Sequence, residues 1–212
     1  MLWGMSKTDL EAAYALQTPD DSRRLYGDWA KDYDSTFAAK EDYELHLHTA
    51  RAFAEAGGQG PVLDVGAGTG LCGLALAGHR VKPVDGTDIS AEMLEVAKIK
   101  GVYRKTFEAD LNVGLPVEGA PYAGVVSSGT FTTGHVGPDA IESLMPVAQP
   151  GAIFALSIKA SHYDSAGFAA KFDALSKGAI RDLTLTETKI YGTKAQGDHK
   201  DDTALIAVFT KI

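Results

Sequence analysis

The sequence contains one cysteine, no long basic run and no long apolar run. Cys72 is the single cysteine in 212 residues, so an intramolecular disulfide and a zinc site built from several thiolates are both excluded. The chain has 20 basic against 28 acidic residues, a net charge of −8, and its longest basic run is Arg23-Arg24. Because nucleic-acid-binding proteins normally carry a basic stripe, we expect no nucleic-acid partner.

Signals for membrane contact or export are equally weak. Residues 1–7 lack the apolar core of a signal peptide, and the longest apolar stretch, residues 152–158, is too short to span a bilayer. We therefore expect a soluble, cytoplasmic protein without a membrane partner. With 45% hydrophobic residues, the chain is most simply one domain with a substantial core.

The six histidines do not suggest a metal site. His46 and His48 stand two apart on a predicted helix and therefore point in different directions. His79 and His199 have no companion at metal-ligand spacing. We predict that the protein holds no metal ion.

The first 58 residues predict a helical leader that precedes a core at residues 59–212. Residues 9–16 favour a helix, and the turn-forming residues 18–21 are expected to stop it. Asp21 or Ser22 can cap a second helix, and residues 41–56 predict a third, longer one.

From residue 61 onward the pattern alternates between strands and helices. Strands are predicted at 62–65, 81–88, 102–107, 122–127, 152–158, 182–191 and 203–210, and helices at 71–77, 91–100, 138–147 and 164–177. Residues 128–135 are predicted to form a polar loop. The last two strands are separated by too few residues for a crossover helix, so they must be antiparallel. The expected fold is an α/β, Rossmann-like, doubly wound, mostly parallel seven-stranded sheet with a C-terminal antiparallel hairpin.

The first predicted strand runs directly into a glycine-rich turn. Gly66, Gly68 and Gly70 follow the strand and precede a helix, which is typical of a corner that binds a nucleotide-like ligand. Gly68, Gly70 and Gly73 also fit the dinucleotide pattern G-x-G-x-x-G, with Asp88 about twenty residues further on. The turn by itself therefore does not distinguish a dinucleotide cofactor from another nucleotide-like cofactor.

Taken with the rest of the chain, this stretch resembles the first motif of class I S-adenosylmethionine (SAM)-dependent methyltransferases. Residues 86–90, 108–111 and 144–152 resemble later motifs of these enzymes, in the same order, with Ala152 in place of a second glycine. The C-terminal hairpin is a feature of that class which dinucleotide-binding domains lack. The resemblance implies SAM as the cofactor and S-adenosylhomocysteine (SAH) as its product.

Two further segments resemble the Williams–Beuren-region methyltransferase-like proteins and their bacterial relatives. The first is residues 26–34, with an aromatic-x-x-aromatic-Ala-x-x-Tyr-Asp pattern, and the second is residues 129–138. Tyr26, Trp29 and Tyr33 would place three rings on one helical face as a lid over the cofactor, where rings can stack on a sulfonium cation. The alternative is that these rings simply dock the leader on the core.

The resemblance implies a role for each residue of the cofactor site. Asp64 would accept from the amino group of the methionine moiety or fix the turn, and Asp88, favoured over Asp85, would accept from both ribose hydroxyls. Asp110 would accept from the adenine amino group. The remaining predicted contacts are Gly66, Ala67 and Gly68 at the turn, Ile89, Met93 and Leu111 around the adenine, and Ser127 and Ser128 where cofactor and acceptor meet.

The predicted reaction moves the SAM methyl group to a small-molecule acceptor by in-line displacement, and aligning the reactants is the main task of the protein. His135 is the best candidate for a base, and the alternative is a histidine that orders its loop or lies at the surface. His162, Tyr163 and Tyr191 are weaker candidates for the base.

An NAD-binding oxidoreductase and a SAM-binding regulatory protein without catalysis are the alternative functions. The protein is expected to be a monomer or homodimer.

Overall fold

A seven-stranded sheet forms the centre of the computed structural model, which describes Ala13, Leu16 and residues 18–212. The spatial order of the strands is β3-β2-β1-β4-β5-β7-β6. The strands are β1 Val62–Val65, β2 Val84–Asp88, β3 Lys105–Glu108, β4 Tyr122–Phe131, β5 Ala148–Lys159, β6 Ile180–Lys189 and β7 Thr203–Lys211. The helices are α1 Pro19–Trp29, α2 Leu45–Glu55, α3 Leu71–Gly78, α4 Ala91–Ile99, α5 Ala140–Leu144, α6 Ala160–Ala166 and α7 Phe168–Leu175.

The pairing of the strands confirms the predicted fold class. Strands β1 to β5 pair with one another in parallel. Strand β7 is antiparallel to both β5 and β6. The carboxyl ends of β1 to β6 therefore meet at one edge of the sheet, which is where ligands bind in open α/β folds.

The core of the sheet is built from large apolar side chains on its central strands. Phe131, Phe154 and Phe209 are buried in one cluster with the side chains of α5 and α7. Phe53 of α2 lies on the other face, in a second cluster with β1 and α3. Phe53 also occupies the space that a side chain at Gly124 would need, since a Cβ there would lie 2.4 Å from the ring.

Several predicted boundaries are wrong, and the backbone shows why. Strand β4 continues to Phe131 through an irregularity after Ser127, so the first half of the predicted loop at 128–135 is strand. The predicted helix 164–177 is two helices, because Gly167 has a φ of +87° and interrupts the hydrogen-bond ladder. The strand predicted at 81–88 begins only at Val84, one residue after Pro83, because proline cannot donate a backbone hydrogen bond to the sheet.

The turn-forming residues 18–21 start helix α1. Thr18 caps α1 by accepting from the backbone N–H of Asp21, and Asp21 accepts in return from the backbone N–H of Thr18. The prediction of Asp21 or Ser22 as the cap was therefore wrong by three or four residues. The helix predicted at 9–16 lies almost wholly outside the described residues.

The segment between α1 and α2 joins the leader to the far side of the sheet. Asp34–Ala38 forms a π-helical turn. Beyond it, Tyr43 pairs with Tyr191 in an isolated antiparallel bridge, and Glu44 donates its N–H to the carbonyl of Ile190. This extended pairing explains why the helix predicted at 41–56 begins only at Leu45. Within the described residues, no helix is long and apolar enough to cross a membrane.

Candidate functional site

A cavity follows the carboxyl edge of the sheet beneath the N-terminal segment. It reaches from Asp110, just beyond β3, to Tyr191, just beyond β6. The predicted site residues line it except for Asp64, Ser127 and the weaker base candidates His162 and Tyr163. The structure therefore brings together most of the residues that the sequence singled out, although they are spread over more than 100 positions of the chain.

The glycine turn forms one wall of this cavity in a conformation that other residues rarely adopt. Gly66 and Gly68 have φ values of +67° and +54°, in the left-handed region that favours glycine. A Cβ at Gly66 would lie 1.9 Å from Oγ1 of Thr130, whereas a Cβ at Gly68 would meet nothing within 4 Å. Gly66 is thus required for packing against β4, and Gly68 leaves its backbone open to the cavity.

Asp88 lies beside this turn at the end of β2. One of its oxygens accepts from the backbone N–H of Gly68 at 2.8 Å, and the other accepts from the N–H of Ser90 at 2.9 Å. Burial raises the pKa of Asp88, and these backbone donors oppose the rise. Because each carboxylate oxygen accepts more than one hydrogen bond, both oxygens retain capacity for a ligand.

Asp64 and Ser127 are buried below the cavity. Asp64 accepts from the Tyr103 hydroxyl at 2.7 Å through Oδ2, while its Oδ1 has no partner among the described residues. Burial raises the pKa of Asp64 to about 7, and the Tyr103 hydrogen bond opposes that rise. Ser127 donates to the carbonyl of Val65 at 2.8 Å. Ser127 is thus bonded to the residue just before the turn and Asp64 to Tyr103, and their predicted contact with a ligand stays a prediction.

Asp85, the alternative to Asp88, and Gly73, the last glycine of the dinucleotide pattern, contact other side chains away from the cavity. Asp85 is fully buried, and its carboxylate accepts from Arg104 at 2.7 and 2.9 Å and from Tyr122 at 2.9 Å. Gly73 lies under the Tyr103 ring, where a Cβ would be 2.4 Å from the ring atoms. Both positions are therefore explained by packing, without a ligand.

The predicted adenine side lies at the β3 end of the cavity, with Ile89, Met93, Asp110 and Leu111 in its lining. Asp110 accepts from the backbone N–H of Asn112 at 2.9 Å. Arg23 of α1 lies 3.4 Å from the other oxygen of Asp110. This ion pair connects the leader to the core at one end of the cavity.

The three predicted lid rings pack in a row over the cavity. Tyr26 stacks on Trp29 with ring centroids 6.3 Å apart, and Trp29 meets Tyr33 edge to face at 5.1 Å. Trp29 is buried, and all three rings line the cavity. The rings both dock the leader and face the ligand space, so the two alternatives of the sequence analysis are compatible.

His135 lies in the cavity wall with both ring nitrogens engaged. Nε2 lies 2.9 Å from the Tyr26 hydroxyl, and Nδ1 lies 3.2 Å from the carbonyl oxygen of Thr133. Since Nδ1–H donates to the carbonyl, Nε2 accepts from Tyr26. Burial lowers the pKa of His135, so the ring is neutral near pH 7. In this arrangement the imidazole anchors a lid ring.

A second link between leader and core was not predicted. Asp34 accepts from Oγ1 of Thr69 at 2.5 Å and from Nζ of Lys100 at 2.6 Å, and Lys100 also donates to the Thr69 carbonyl at 2.6 Å. The one signal for Asp34 was its place at the end of the 26–34 segment. Nothing in the local sequence marks Thr69 or Lys100, because their partner lies more than 30 residues away.

The other half of the cavity also went largely unpredicted. Where β4, β5 and β6 end, its wall includes polar groups of Tyr43, His46, Ser128, Ser157 and Lys159. The Tyr43 hydroxyl lies 3.4 Å from Oγ of Ser128, and Lys159 pairs with Asp202 at 2.8 Å. Of these groups, only Ser128 was predicted for the site. His46 was discussed solely as an unsuitable metal ligand.

Comparison with known families places a methyltransferase domain over this site. Residues 62–151 match a family described as a methyltransferase domain. The match begins with β1 and takes in the glycine turn, Asp88, Asp110 and Ser128. None of the curated proteins compared with the chain matches it.

Solved structures share the fold over nearly the whole chain. Magnesium protoporphyrin IX methyltransferase from Synechocystis, solved with SAM, has a TM-score of 0.63 at 19% identity, covering 92% of this chain and 98% of that one. A SAM-dependent methyltransferase from Thermotoga maritima, described as a possible histamine N-methyltransferase, has a TM-score of 0.62 at 13% identity, covering 89% and 98%. DhpI in complex with SAH has a TM-score of 0.64 at 20% identity, covering 90% and 95%.

The matched methyltransferase domain and the shared fold agree with the prediction of a class I SAM-dependent methyltransferase that uses SAM as its cofactor. The antiparallel β7 between β5 and β6 agrees with this class, in contrast to the NAD-binding alternative. The narrower resemblance to the Williams–Beuren-region proteins stays a prediction.

Proposed function

We propose that the protein transfers the methyl group of SAM to a small-molecule acceptor, with the cofactor in the half of the cavity that β1 to β3 form. The observation that carries the proposal is the position of Asp88, whose carboxylate is held beside the open backbone of Gly68. A carboxylate with capacity on both oxygens suits the two hydroxyls of a ribose. Asp110 and Leu111 would then contact the adenine.

The leader would act as a lid on this cofactor. Three separate contacts support this role, since Arg23 reaches Asp110, Tyr26 reaches His135, and Asp34 reaches the glycine turn. The rings of Tyr26, Trp29 and Tyr33 would cover the methionine portion, where aromatic faces favour a sulfonium cation. Covering the cavity would also exclude water and bulk solvent from the reacting atoms.

The chemistry requires little from the protein beyond alignment. An acceptor lone pair attacks the methyl carbon, and the carbon–sulfur bond breaks with its electron pair passing to sulfur, which leaves SAH. Holding the acceptor, the methyl carbon and the sulfur in line is worth roughly 7–11 kcal/mol for well-oriented reactants. The acceptor would lie at the ends of β4 to β6, next to Ser128, because that half of the cavity adjoins the predicted position of the methyl group.

Thermal unfolding with SAM, SAH, NAD or no ligand tests this proposal. A ligand at about 100 times its dissociation constant adds roughly 2.7 kcal/mol, which raises Tm by about 5–10 °C for a chain of this size. We expect this shift with SAM and SAH only. A shift with NAD alone would overturn the cofactor assignment. Labelled SAM with a metabolite panel then separates a catalyst from a protein that only binds SAM.

A further inference from the structure

The half of the cavity where β4, β5 and β6 end is lined mainly by rings and uncharged polar groups. Phe37, Tyr43 and Tyr191 form a continuous aromatic wall, with ring centroids 5.6 Å apart between Phe37 and Tyr43 and 6.1 Å between Tyr43 and Tyr191. Lys159 supplies the one cationic side chain among the described lining residues of this half, and Asp202 neutralises it at 2.8 Å. Such a wall favours a flat and uncharged ligand.

His46, the second residue of α2, is a polar group of this wall that lacks a hydrogen-bond partner among the described residues. Its ring stacks on Tyr43 with centroids 5.5 Å apart. Nδ1 is buried and has no hydrogen-bond partner among the described residues. Because Nδ1 is closed off from the cavity, a bound molecule would meet the imidazole at Nε2, which also has no hydrogen-bond partner among the described residues.

The protonation state of His46 agrees with such a contact. Burial lowers its pKa to about 4, with nearby Asp34 opposing and His48 adding to the effect. The ring is therefore neutral near pH 7 and has one nitrogen with a lone pair. A neutral ring also avoids repulsion with the positive charge of the SAM sulfonium.

The contrast with His135 is direct. Both nitrogens of His135 are engaged, by Tyr26 at 2.9 Å and by Thr133 at 3.2 Å. Using His135 as a base would require the hydrogen bond from the Tyr26 hydroxyl to break. His46 needs no such change within the described contacts.

We propose that the methyl acceptor is an uncharged aromatic alcohol whose hydroxyl hydrogen-bonds the His46 imidazole, and that His46 removes its proton. This inference rests on the function proposed above. The acceptor oxygen forms a bond to the methyl carbon, the carbon–sulfur bond breaks toward sulfur, and the hydroxyl proton moves to a nitrogen of His46. The proton of an oxygen that is gaining a methyl group becomes strongly acidic, so even a weakly basic imidazole accepts it.

Two phenols that differ in ionisation provide the test. At pH 7.5, 2-naphthol keeps its proton, whereas pentafluorophenol has largely lost it and needs no base. With labelled SAM and the full-length protein, we expect His46→Gln to lower kcat/KM for 2-naphthol on the order of 100-fold, the scale of general-base catalysis. For pentafluorophenol we expect less than about a threefold loss. The ether 2-methoxynaphthalene, which has no hydroxyl, should accept no methyl group.

His48→Gln is the matched control, because it makes the same change two residues along α2. His48 faces a different groove and lies 3.3 Å from Arg51. This variant should retain wild-type kcat/KM for both phenols. SAH affinity and Tm, measured for every variant, separate a folding defect from a lost catalytic group.

Each other outcome has a defined meaning. If His46→Gln lowers kcat/KM equally for both phenols, His46 does not remove the proton. If kcat/KM falls for neither phenol, His46 does not contact the acceptor. A wild-type protein that binds SAH but methylates neither phenol would overturn the acceptor class and leave the cofactor assignment standing. If the protein binds neither SAM nor SAH, the function proposed above fails first.

Discussion

Asp34 in the leader and Thr69 in the glycine turn share a hydrogen bond of 2.5 Å although 35 residues separate them. Lys100 closes the arrangement by donating 2.6 Å bonds to the Asp34 carboxylate and to the Thr69 carbonyl. The turn that faces the cavity is therefore bonded directly to the segment that covers it. Under the proposed lid function, opening of the leader requires this ion pair to break.

Replacing Asp34 should speed the release of bound cofactor. Asp34→Asn removes the charge that pairs with Lys100, whose side chain is only 17% exposed. We expect SAH to dissociate about tenfold faster, which corresponds to about 1.4 kcal/mol, with a smaller effect on association. Stopped-flow displacement measures both rates. Asp32→Asn, a nearby exposed carboxylate, is the control and should leave them unchanged.

Asp88 and Asp85 should respond differently to substitution, because only Asp88 lines the cavity. We expect Asp88→Ala to weaken SAM binding at least tenfold in calorimetry and to change Tm little without ligand. Asp85→Asn should lower Tm without ligand, since it weakens the buried pair with Arg104 and the Tyr122 hydrogen bond. Unchanged SAM affinity in Asp88→Ala would contradict the ribose assignment.

Tyr26 and His135 should be energetically coupled through their 2.9 Å contact. A double-mutant cycle with Tyr26→Phe and His135→Phe is expected to give a coupling of about 1 kcal/mol in the free energy of unfolding, the scale of one hydrogen bond. His135→Phe should also loosen the leader and accelerate SAH release. Strictly additive effects in urea unfolding would show that the contact contributes nothing to docking the leader.

Asp64 should make stability depend on pH. Its pKa is raised by burial from 3.8 to about 7, so the folded state retains a proton that the unfolded state releases. The resulting stabilisation is fully present below pH 3.8 and is lost as pH rises through about 7. Between pH 4.5 and 7.5, the wild type should lose at least about 1 kcal/mol relative to Asp64→Asn. Urea unfolding at both pH values measures this difference, and a constant gap between the two proteins would contradict it.

The local sequence was sufficient for the sheet and for the cofactor turn. Alternating strands and helices determine a doubly wound sheet, and the short link between β6 and β7 requires them to be antiparallel. Gly66 and Gly68 could be identified because left-handed backbone is nearly restricted to glycine. Asp88 could be identified because a residue at the end of a strand lies at the ligand edge of the sheet.

Some local features were misread because one residue pattern supports two structures. Thr18-Pro19-Asp20-Asp21 suits a turn, but it also suits a capping box with proline in the first helical turn, and the reciprocal bonds of Thr18 and Asp21 select the cap. Residues 128–131 contain glycine and threonine, which suit a loop. Pairing with β5 nevertheless extends β4 through them.

Only the tertiary structure decided which polar side chains are available to a ligand. The sequence does not distinguish His135 from His46, but folding engages both nitrogens of His135, whereas the His46 ring has no hydrogen-bond partner among the described residues. Asp64 follows the β1 pattern expected of a cofactor residue, yet a hydrogen bond from distant Tyr103 holds it beneath the turn. The sequence by itself determined the sheet, its glycine turn and the edge where ligands bind, because backbone geometry depends on neighbouring residues. Hydrogen bonding and burial depend on residues that lie far apart in the chain. Only the tertiary structure therefore shows which polar side chains at that edge can contact a ligand.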